Sequence, residues 1–346
     1  MPDGCELIRQ APLIAAPVRL SAMSEQRGDS DGMISKKKTL DVIIPVYKPG
    51  KEWEQLLLGL AGQTRKPDRI LVMNTGKEYW KSKWEQMLPG MEVFHITPAE
   101  FDHGGTRDRA ARMSQADYLL FMTQDAVPAD PHLIGWMMEA METASDVRAA
   151  YARQLPRPDC RIEEQYTRRF NYPEESCVKR KSDLSQLGIK TYFCSNVCAV
   201  YDRETYCRLG GFPPHAIFNE DMIFAARLIQ NGYAVAYAAK ARVIHSHNYS
   251  AIQQFHRNFD LAVSQADHPE VFSGIRSEGE GIRLVKNTAA FLIREGKSWR
   301  IVGLIWNSGW KYLGFLLGKR YRKLPRGWVL CFTMNRRYWE KERKNC

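Results

Sequence analysis

Four short stretches of this 346-residue chain carry side chains whose types and spacing could act together in chemistry. In FMTQDAVP (121–128) an apolar run stops at a single carboxylate, Asp125. A divalent cation needs only one or two protein carboxylates when a diphosphate supplies further oxygens, and Thr123 and Gln124 offer hydroxyl and amide support beside it. Alone, Asp125 suits a turn before Pro128 equally well. In FNED (218–221), Glu220 and Asp221 fall in the first turn of a helix, where the macrodipole favours acids whatever their task. Successive carboxylates about 100° apart on a helix could also divide labour, one holding a hydroxyl while the other takes its proton. In VIHSH (243–247), His245 and His247 share one face of an extended segment, and two imidazoles near a carboxylate make a mixed nitrogen–oxygen donor set for a metal. In HGGTRDRAA (103–111), glycines including Gly105 precede a helix with Arg107 in its first turn. That arrangement suits a phosphate, or is an ordinary helix start.

These groups act together only if the chain brings them to one place. DVIIPVY (41–47), DRILVMNTG (68–76), MEVFHIT (91–97) and DYLLFMTQD (117–125) read as buried strands, too short and too β-branched for helices. Helical spacing at 50–63, 104–116 and 130–144 lies between and after them. Such alternation predicts a mostly parallel α/β sheet flanked by helices, with ligands at the carboxyl ends of its strands. Tyr47, Asn74, Gln124 and Asp125 all fall at those ends. Further on, 155–190 is polar and Pro-containing and reads as a long surface excursion, 191–204 as a strand, 218–233 as a helix and 234–250 as extended chain.

The net charge is +11, and it is unevenly placed. From residue 281 onward there are 16 Lys and Arg against 3 acids, whereas the preceding 280 residues are close to neutral. A neutral body with a basic, amphipathic helical tail points to an anionic surface as partner. Trp299, Trp306, Trp310, Tyr312 and Phe315 interleave with Arg320, Arg322 and Lys323, as in a segment lying at a membrane interface. The arginines match no nucleic-acid module, so no nucleic-acid partner is expected. No run reaches the 18 or so apolar residues of a membrane span. Residues 1–38 are polar or Pro-broken, read as a disordered extension, and lack the basic start of a secretory signal. Eight irregularly spaced cysteines without such a signal indicate a reducing compartment, and Cys194 and Cys198 lack the second pair of a zinc site.

In order, VIIPVYKPG, QTRKPDRILVMNTG, HGGTRDRAA, LLFMTQDAVP, SNVCAVYDRE, LGGF, NEDMIFAARLIQNGY and ARVIHSHNYS resemble the family 2 glycosyltransferases of GT-A fold, over about residues 40–270. HGGTR, TQDA and HSHNYS are most similar to the bacterial rhamnosyltransferase branch. The resemblance implies a GT-A domain at 39–270 followed by a basic, membrane-associating helical region at 271–346. It implies an inverting transferase moving a sugar, L-rhamnose from dTDP-rhamnose, to a lipid-linked saccharide acceptor in surface polysaccharide synthesis. The enzyme would be cytoplasmic, peripheral on the inner face of the bacterial membrane. Asp125, with His245 or His247, would hold Mg2+ or Mn2+ on the donor diphosphate. Pro45, Val46, Tyr47, Asn74, Gly105, Arg107 and Gln124 would complete the nucleotide-sugar site. Asp221 would be the catalytic base, with Glu220, Ser195 and Asn196 toward the acceptor.

The chain departs from the family pattern twice: Thr123 stands at the first acidic position of the Asp-x-Asp motif, and Met73-Asn74 where many relatives carry two aspartates. A transferase using another nucleotide sugar such as a UDP-hexose, a scaffold without activity, and a non-catalytic basic binding protein are the competing readings.

Overall fold

The Val- and Ile-rich runs pair into one sheet because β-branched side chains pack well when both faces are covered. A computed structural model describes residues 37–274 and 278–342, so the expected extension at 1–38 lies almost wholly outside the described residues. The strands are β1 (Leu40–Tyr47), β2 (Arg69–Thr75), β3 (Met91–Ile96), β4 (Tyr118–Met122), β5 (Val127–Pro128), β6 (Val147–Leu155), β7 (Cys177–Lys179), β8 (Cys198–Asp202) and β9 (Ala234–Ile244). Their order is β3-β2-β1-β4-β8-β6-β9-β5, with β7 added on β9. The β3-β2-β1-β4 half is parallel. Strand β8 runs antiparallel to both β4 and β6, and β6 and β9 are parallel to each other.

This topology decides where the chemistry gathers. Strands β1, β2, β3, β4, β6 and β9 run one way, so their carboxyl ends share an edge, and reversed β8 begins at that edge. Residues 123–125 after β4, 195–197 before β8, 154–155 at the end of β6 and 245–247 after β9 are thereby neighbours, although widely spaced in sequence.

Helices α1 (Lys51–Ala61), α2 (His103–Met113), α3 (Leu133–Glu142), α4 (Ile162–Asn171), α5 (Leu184–Leu187), α6 (Arg203–Arg208) and α7 (Glu220–Gln230) flank the sheet. Trp53, Leu56, Leu60, Ile134 and Met137 pack α1 and α3 on one face. Ala110, Ala111, Phe224 and Leu228 pack α2 and α7 on the other. The 155–190 stretch is more structured than its polarity suggests, since it contains α4, β7 and α5 and buries Tyr172 and Lys179. Its polar groups serve the fold: the Lys179 ammonium donates to the Tyr151 hydroxyl and to the carbonyls of Lys190 and Phe193.

The chain continues through α8 (Ala251–Asp267), α9 (Pro269–Phe272), α10 (Glu278–Arg294), α11 (Ile301–Lys319), α12 (Arg326–Phe332) and α13 (Arg336–Glu342). Ser250 and Gln253 close a reciprocal capping box at the start of α8. Helix α11 lies tight against α8: a Cβ at Gly314 would sit 2.3 Å from the Phe255 carbonyl oxygen, and one at Gly318 2.3 Å from that of Phe259. Only glycine permits this approach, and because 314 faces 255 and 318 faces 259 the two helices run parallel. From Lys38 onward the chain forms one compact unit.

Candidate active site

Asp125 lies just past β4, at the shared edge. Its Oδ2 is 3.6 Å from His245 Nε2 and 3.5 Å from His247 Nε2. The two rings are nearly perpendicular with centroids 4.7 Å apart, and the three ligand atoms all lie within 4.8 Å of one another. Gln154, at the end of β6, sets the protonation of this group. Arg168, which can only donate, meets Gln154 Oε1, while Gln154 Nε2 donates to Ser195 Oγ at 3.0 Å. Oε1 is therefore the acceptor, so His245 Nδ1, 3.0 Å away, carries the hydrogen. The Nε2 lone pair is left facing a carboxylate oxygen. Burial, followed by His247 and nearby arginines, holds His245 well below the usual histidine range. Burial also lowers His247, against the pull of Asp125. A buried imidazole lone pair aimed at a carboxylate oxygen repels it unless a cation lies between them, and His247 Nε2 stands within reach of the same oxygen. This donor set fits a divalent metal with open positions.

Glu220 and Asp221 open α7, which is entered through Asn219 in the left-handed region at φ 63°. Asn tolerates that conformation better than most residues, and it turns the first helical turn toward the start of β8. The Asn196 backbone N–H donates to Asp221 Oδ2 at 2.9 Å, and the Met222 N–H to Oδ1 at 2.8 Å. Asn196 Nδ2 donates to Glu220 Oε1 at 3.3 Å, while the Tyr201 hydroxyl donates to Asn196 Oδ1 at 2.9 Å and fixes the amide orientation. Burial and then the Glu220 charge push the Asp221 carboxyl up to about 7. Burial acts on Glu220 in the same direction, but Arg107 and His103 outweigh it and hold that carboxyl below its usual range. The pair is thus split into a permanently ionised acid and one poised to exchange a proton near neutrality. The metal triad and the pair are joined by a continuous path: His245 to Gln154, Gln154 to Ser195, then the adjacent Asn196 to Asp221.

Several expected site residues are engaged in holding the edge together. Gln124 Oε1 accepts from the Tyr47 N–H at 2.8 Å and its Nε2 donates to the Tyr47 carbonyl at 3.0 Å, clamping β4 to β1. Arg107 Nη1 donates to the His103 carbonyl at 2.8 Å and lies 3.3 Å from Glu220 Oε1. The anion position at the α2 N-terminus is taken by Asp102, which accepts from the Gly105 N–H at 2.6 Å. Val46 is buried in the α1-side core, Pro45 is partly buried, and Tyr47 is exposed, edge-on to Tyr79. Asn74 Nδ2 donates to the Gly76 carbonyl at 3.1 Å and lies 2.9 Å from His95 Nδ1, while its buried Oδ1 is without a partner. Buried Thr123 Oγ1 is likewise without a partner. A cavity of about 250 Å³ opens between Met73, Ile96, Asp102, Gly105 and Thr106. Because Met73 and Asn74 alternate across β2, this cavity brings Gly105 together with Met73, not with Asn74. Gln154, Arg168 and Tyr201 escape a reading of the sequence. The one local hint is an amide at the end of the otherwise apolar-patterned β6.

The family model for glycosyl transferase family 2 matches residues 41–210. The chain is 38% identical over 304 residues to the O-antigen chain rhamnosyltransferase RfbN of Salmonella typhimurium, covering 87% of this chain and 96% of that protein. It is 36% identical over 303 residues to the O-antigen chain rhamnosyltransferase WbaN of Salmonella anatum, covering 86% and 95%. Among solved structures, the mannosyltransferase PcManGT of Pyrobaculum calidifontis, in complex with GDP-Man and Mn2+, superposes with a TM-score of 0.52 at 15% identity, over 90% of this chain and 88% of that one. At that identity the likeness is one of fold. With its sheet, its edge of carboxylates and its motif order in agreement, the chain belongs to glycosyltransferase family 2: it is a glycosyltransferase of GT-A fold, grouped by sequence with bacterial rhamnosyltransferases.

Proposed function

We propose that the enzyme transfers L-rhamnose from dTDP-rhamnose, with inversion, to a lipid-linked saccharide acceptor in bacterial surface polysaccharide synthesis, at the inner face of the cell membrane. The observation that carries the reading is the link from the Asp125–His245–His247 triad through Gln154 and the adjacent Ser195 and Asn196 to Asp221. The names of the two Salmonella relatives support the sugar. In this reading Asp125, His245 and His247 hold Mg2+ or Mn2+, the two imidazoles favouring Mn2+. When bound, the ion offsets the charge that develops on the departing diphosphate. Asp221 takes the acceptor hydroxyl proton as that oxygen attacks the anomeric carbon from the face opposite the leaving group. Glu220 keeps Asp221 basic and faces the acceptor, Arg107 keeps Glu220 ionised, and Asn196 orients both. Tyr47, Pro45 and Asn74 border the base and ribose, with Val46 and Gln124 shaping that edge from behind.

Thermal melting with Mn2+ tests the donor. We expect dTDP-rhamnose to stabilise the enzyme by about 2.7 kcal/mol at a hundred times its Kd, with UDP-glucose giving little. The opposite ranking assigns the enzyme to UDP-hexoses.

We further assign 271–346 as the membrane-associating region. Helix α11 turns Gly314 and Gly318 to α8 and leaves Val302 (76% exposed), Ile305 (61%) and Trp306 (63%) outward, beside Trp299 (72%). Lys319, Arg320, Arg322 and Lys323 follow at its end. An apolar stripe with a basic end suits an interfacial helix on anionic lipid, each basic residue contributing about 1 kcal/mol. No helix among the described residues is long and apolar enough to cross a membrane. Deleting α11 would uncover Phe255 and Phe259, so surface substitutions are the cleaner test. Val302→Glu with Trp306→Glu should lower partition onto phosphatidylglycerol vesicles at least about tenfold, from lost apolar burial. Unchanged partition would remove α11 from membrane binding.

A further inference from the structure

Next to the metal triad stand two cations that the proposed mechanism does not use. The Arg257 guanidinium lies over the Phe218 ring at 4.6 Å and near the Tyr249 ring at 5.7 Å. The Tyr249 ring in turn stacks on His247, a triad member, at 5.0 Å. Among the described residues Arg257 has no hydrogen-bonded or ion-paired partner. Lys311 approaches from the other side. Gly314 opposite Phe255 and Gly318 opposite Phe259 set the register of the parallel α8 and α11 helices, and that register puts Lys311 level with Ile252. At 100° per residue, Lys311 shares with Gly314 and Gly318 a sector of about 60°. It therefore points inward, where the charged groups acting on it are Glu164, Arg257 and Arg168. Lys311 also makes no ion pair or hydrogen bond among the described residues. The nearest acid is already engaged: Glu164 is held by Arg168 at 2.6 Å. Burial, with Arg257 and Arg168 adding to it, lowers the Lys311 ammonium below its usual range, against Glu164.

Two partly buried cations without carboxylate partners, beside a site that is itself built for a metal ion, leave positive charge unmatched. Each would be more stable with an anion between them, and a guanidinium braced on aromatic rings is already oriented to receive one. The inward face of α11 is also opposite the apolar stripe of the same helix.

We propose that Arg257 and Lys311 form an anion subsite for a diphosphate, beside the metal triad and independent of it. The identity of the occupant rests on the proposed donor and acceptor, whereas the subsite does not. Two molecules in the reaction carry this chemistry: the nucleotide sugar, and an acceptor whose saccharide is joined to its lipid by a diphosphate.

Calorimetric titration of full-length enzyme with inorganic pyrophosphate in EDTA tests the subsite directly. Wild type and Asp125→Ala should bind alike, and Arg257→Gln and Lys311→Gln should each bind at least tenfold more weakly, with Arg257→Lys recovering part of the loss. Titration with dTDP in Mn2+ separates the sources. Affinity for dTDP within twofold of wild type in both Gln variants assigns the subsite to the acceptor, and a tenfold loss assigns it to the donor. Wild-type binding of both pyrophosphate and dTDP by both Gln variants, or loss of pyrophosphate binding in Asp125→Ala, overturns the proposal. The pyrophosphate result does not depend on which nucleotide sugar is the donor, so a failed rhamnose assignment would be seen separately in the melting experiment, and the second titration would then use UDP in place of dTDP.

Discussion

Asp221→Asn should lower the rate of sugar transfer by about 10²–10⁴-fold, the usual range for loss of a general base, while leaving donor affinity within about twofold. The substitution is nearly isosteric, but the amide has a single acceptor oxygen, so it keeps one of the two backbone N–H contacts, from Asn196 or from Met222, and gives up the other. It removes the one group at the site that burial and the Glu220 charge have raised to about 7. The sign of the pH dependence follows from the role. Below about pH 7 Asp221 holds its proton and accepts no other, so kcat/KM for the wild type should fall about tenfold per unit, and above that value it should level off. The variant should show only a low, flat residual rate. Nucleoside diphosphate release under single-turnover conditions measures both. Turnover equal to wild type, or an Asn variant that keeps the limb near pH 7, would take Asp221 out of the reaction.

The second large effect is expected at Asp125. It is the sole acid in the triad, since Thr123 stands where many relatives carry the first aspartate. In Asp125→Ala two neutral imidazoles remain, a poor set for a hard divalent cation that prefers oxygen. Metal-dependent binding of the nucleotide sugar should weaken at least about 100-fold, and transfer should fall with it. The residual affinity should no longer respond to EDTA, whereas the wild type loses most of its affinity on chelation. Isothermal titration of donor with and without Mn2+ gives all four values. If the variant still binds donor in a Mn2+-dependent way, the metal lies elsewhere.

What the sequence revealed and what it hid divide along a physical line. Strand ends are legible because a buried parallel strand is a continuous apolar run, and the residue that stops it, such as Asp125, is conspicuous. His245 and His247 are legible through their period of two. Contacts between segments distant in sequence leave no such mark. Arg107 reads as a phosphate ligand because a glycine-led helix start with an arginine is a local phosphate pattern. Its contact with Glu220, 113 positions later, leaves no such local mark, nor does the Asp102 cap of the helix start. Gln124 reads as a ligand, and its hydrogen bonds from the end of β4 to β1 leave no mark in the sequence. Gln154 gives almost no signal, yet it sets the His245 tautomer and links His245 to Ser195, next to the Asn196 that holds Asp221. The polar 155–190 stretch reads as surface because composition reports exposure on average. Here its polar atoms find partners inside the fold, and α4 supplies the Arg168 that orients Gln154. Strand β6 is Ala-rich and lacks the β-branched run that marks its neighbours, so its place between β8 and β9 is fixed by pairing alone.

The most direct test of the account is a crystal structure of the enzyme with Mn2+ and dTDP, with the ion located by its anomalous scattering. We expect one Mn2+ bonded to Asp125, His245 and His247 and to the nucleotide diphosphate, with the Asp221 carboxyl opening into the same cleft. An ion bound away from these three side chains, or carboxyl groups of Asp125 and Asp221 that face separate cavities, would contradict it.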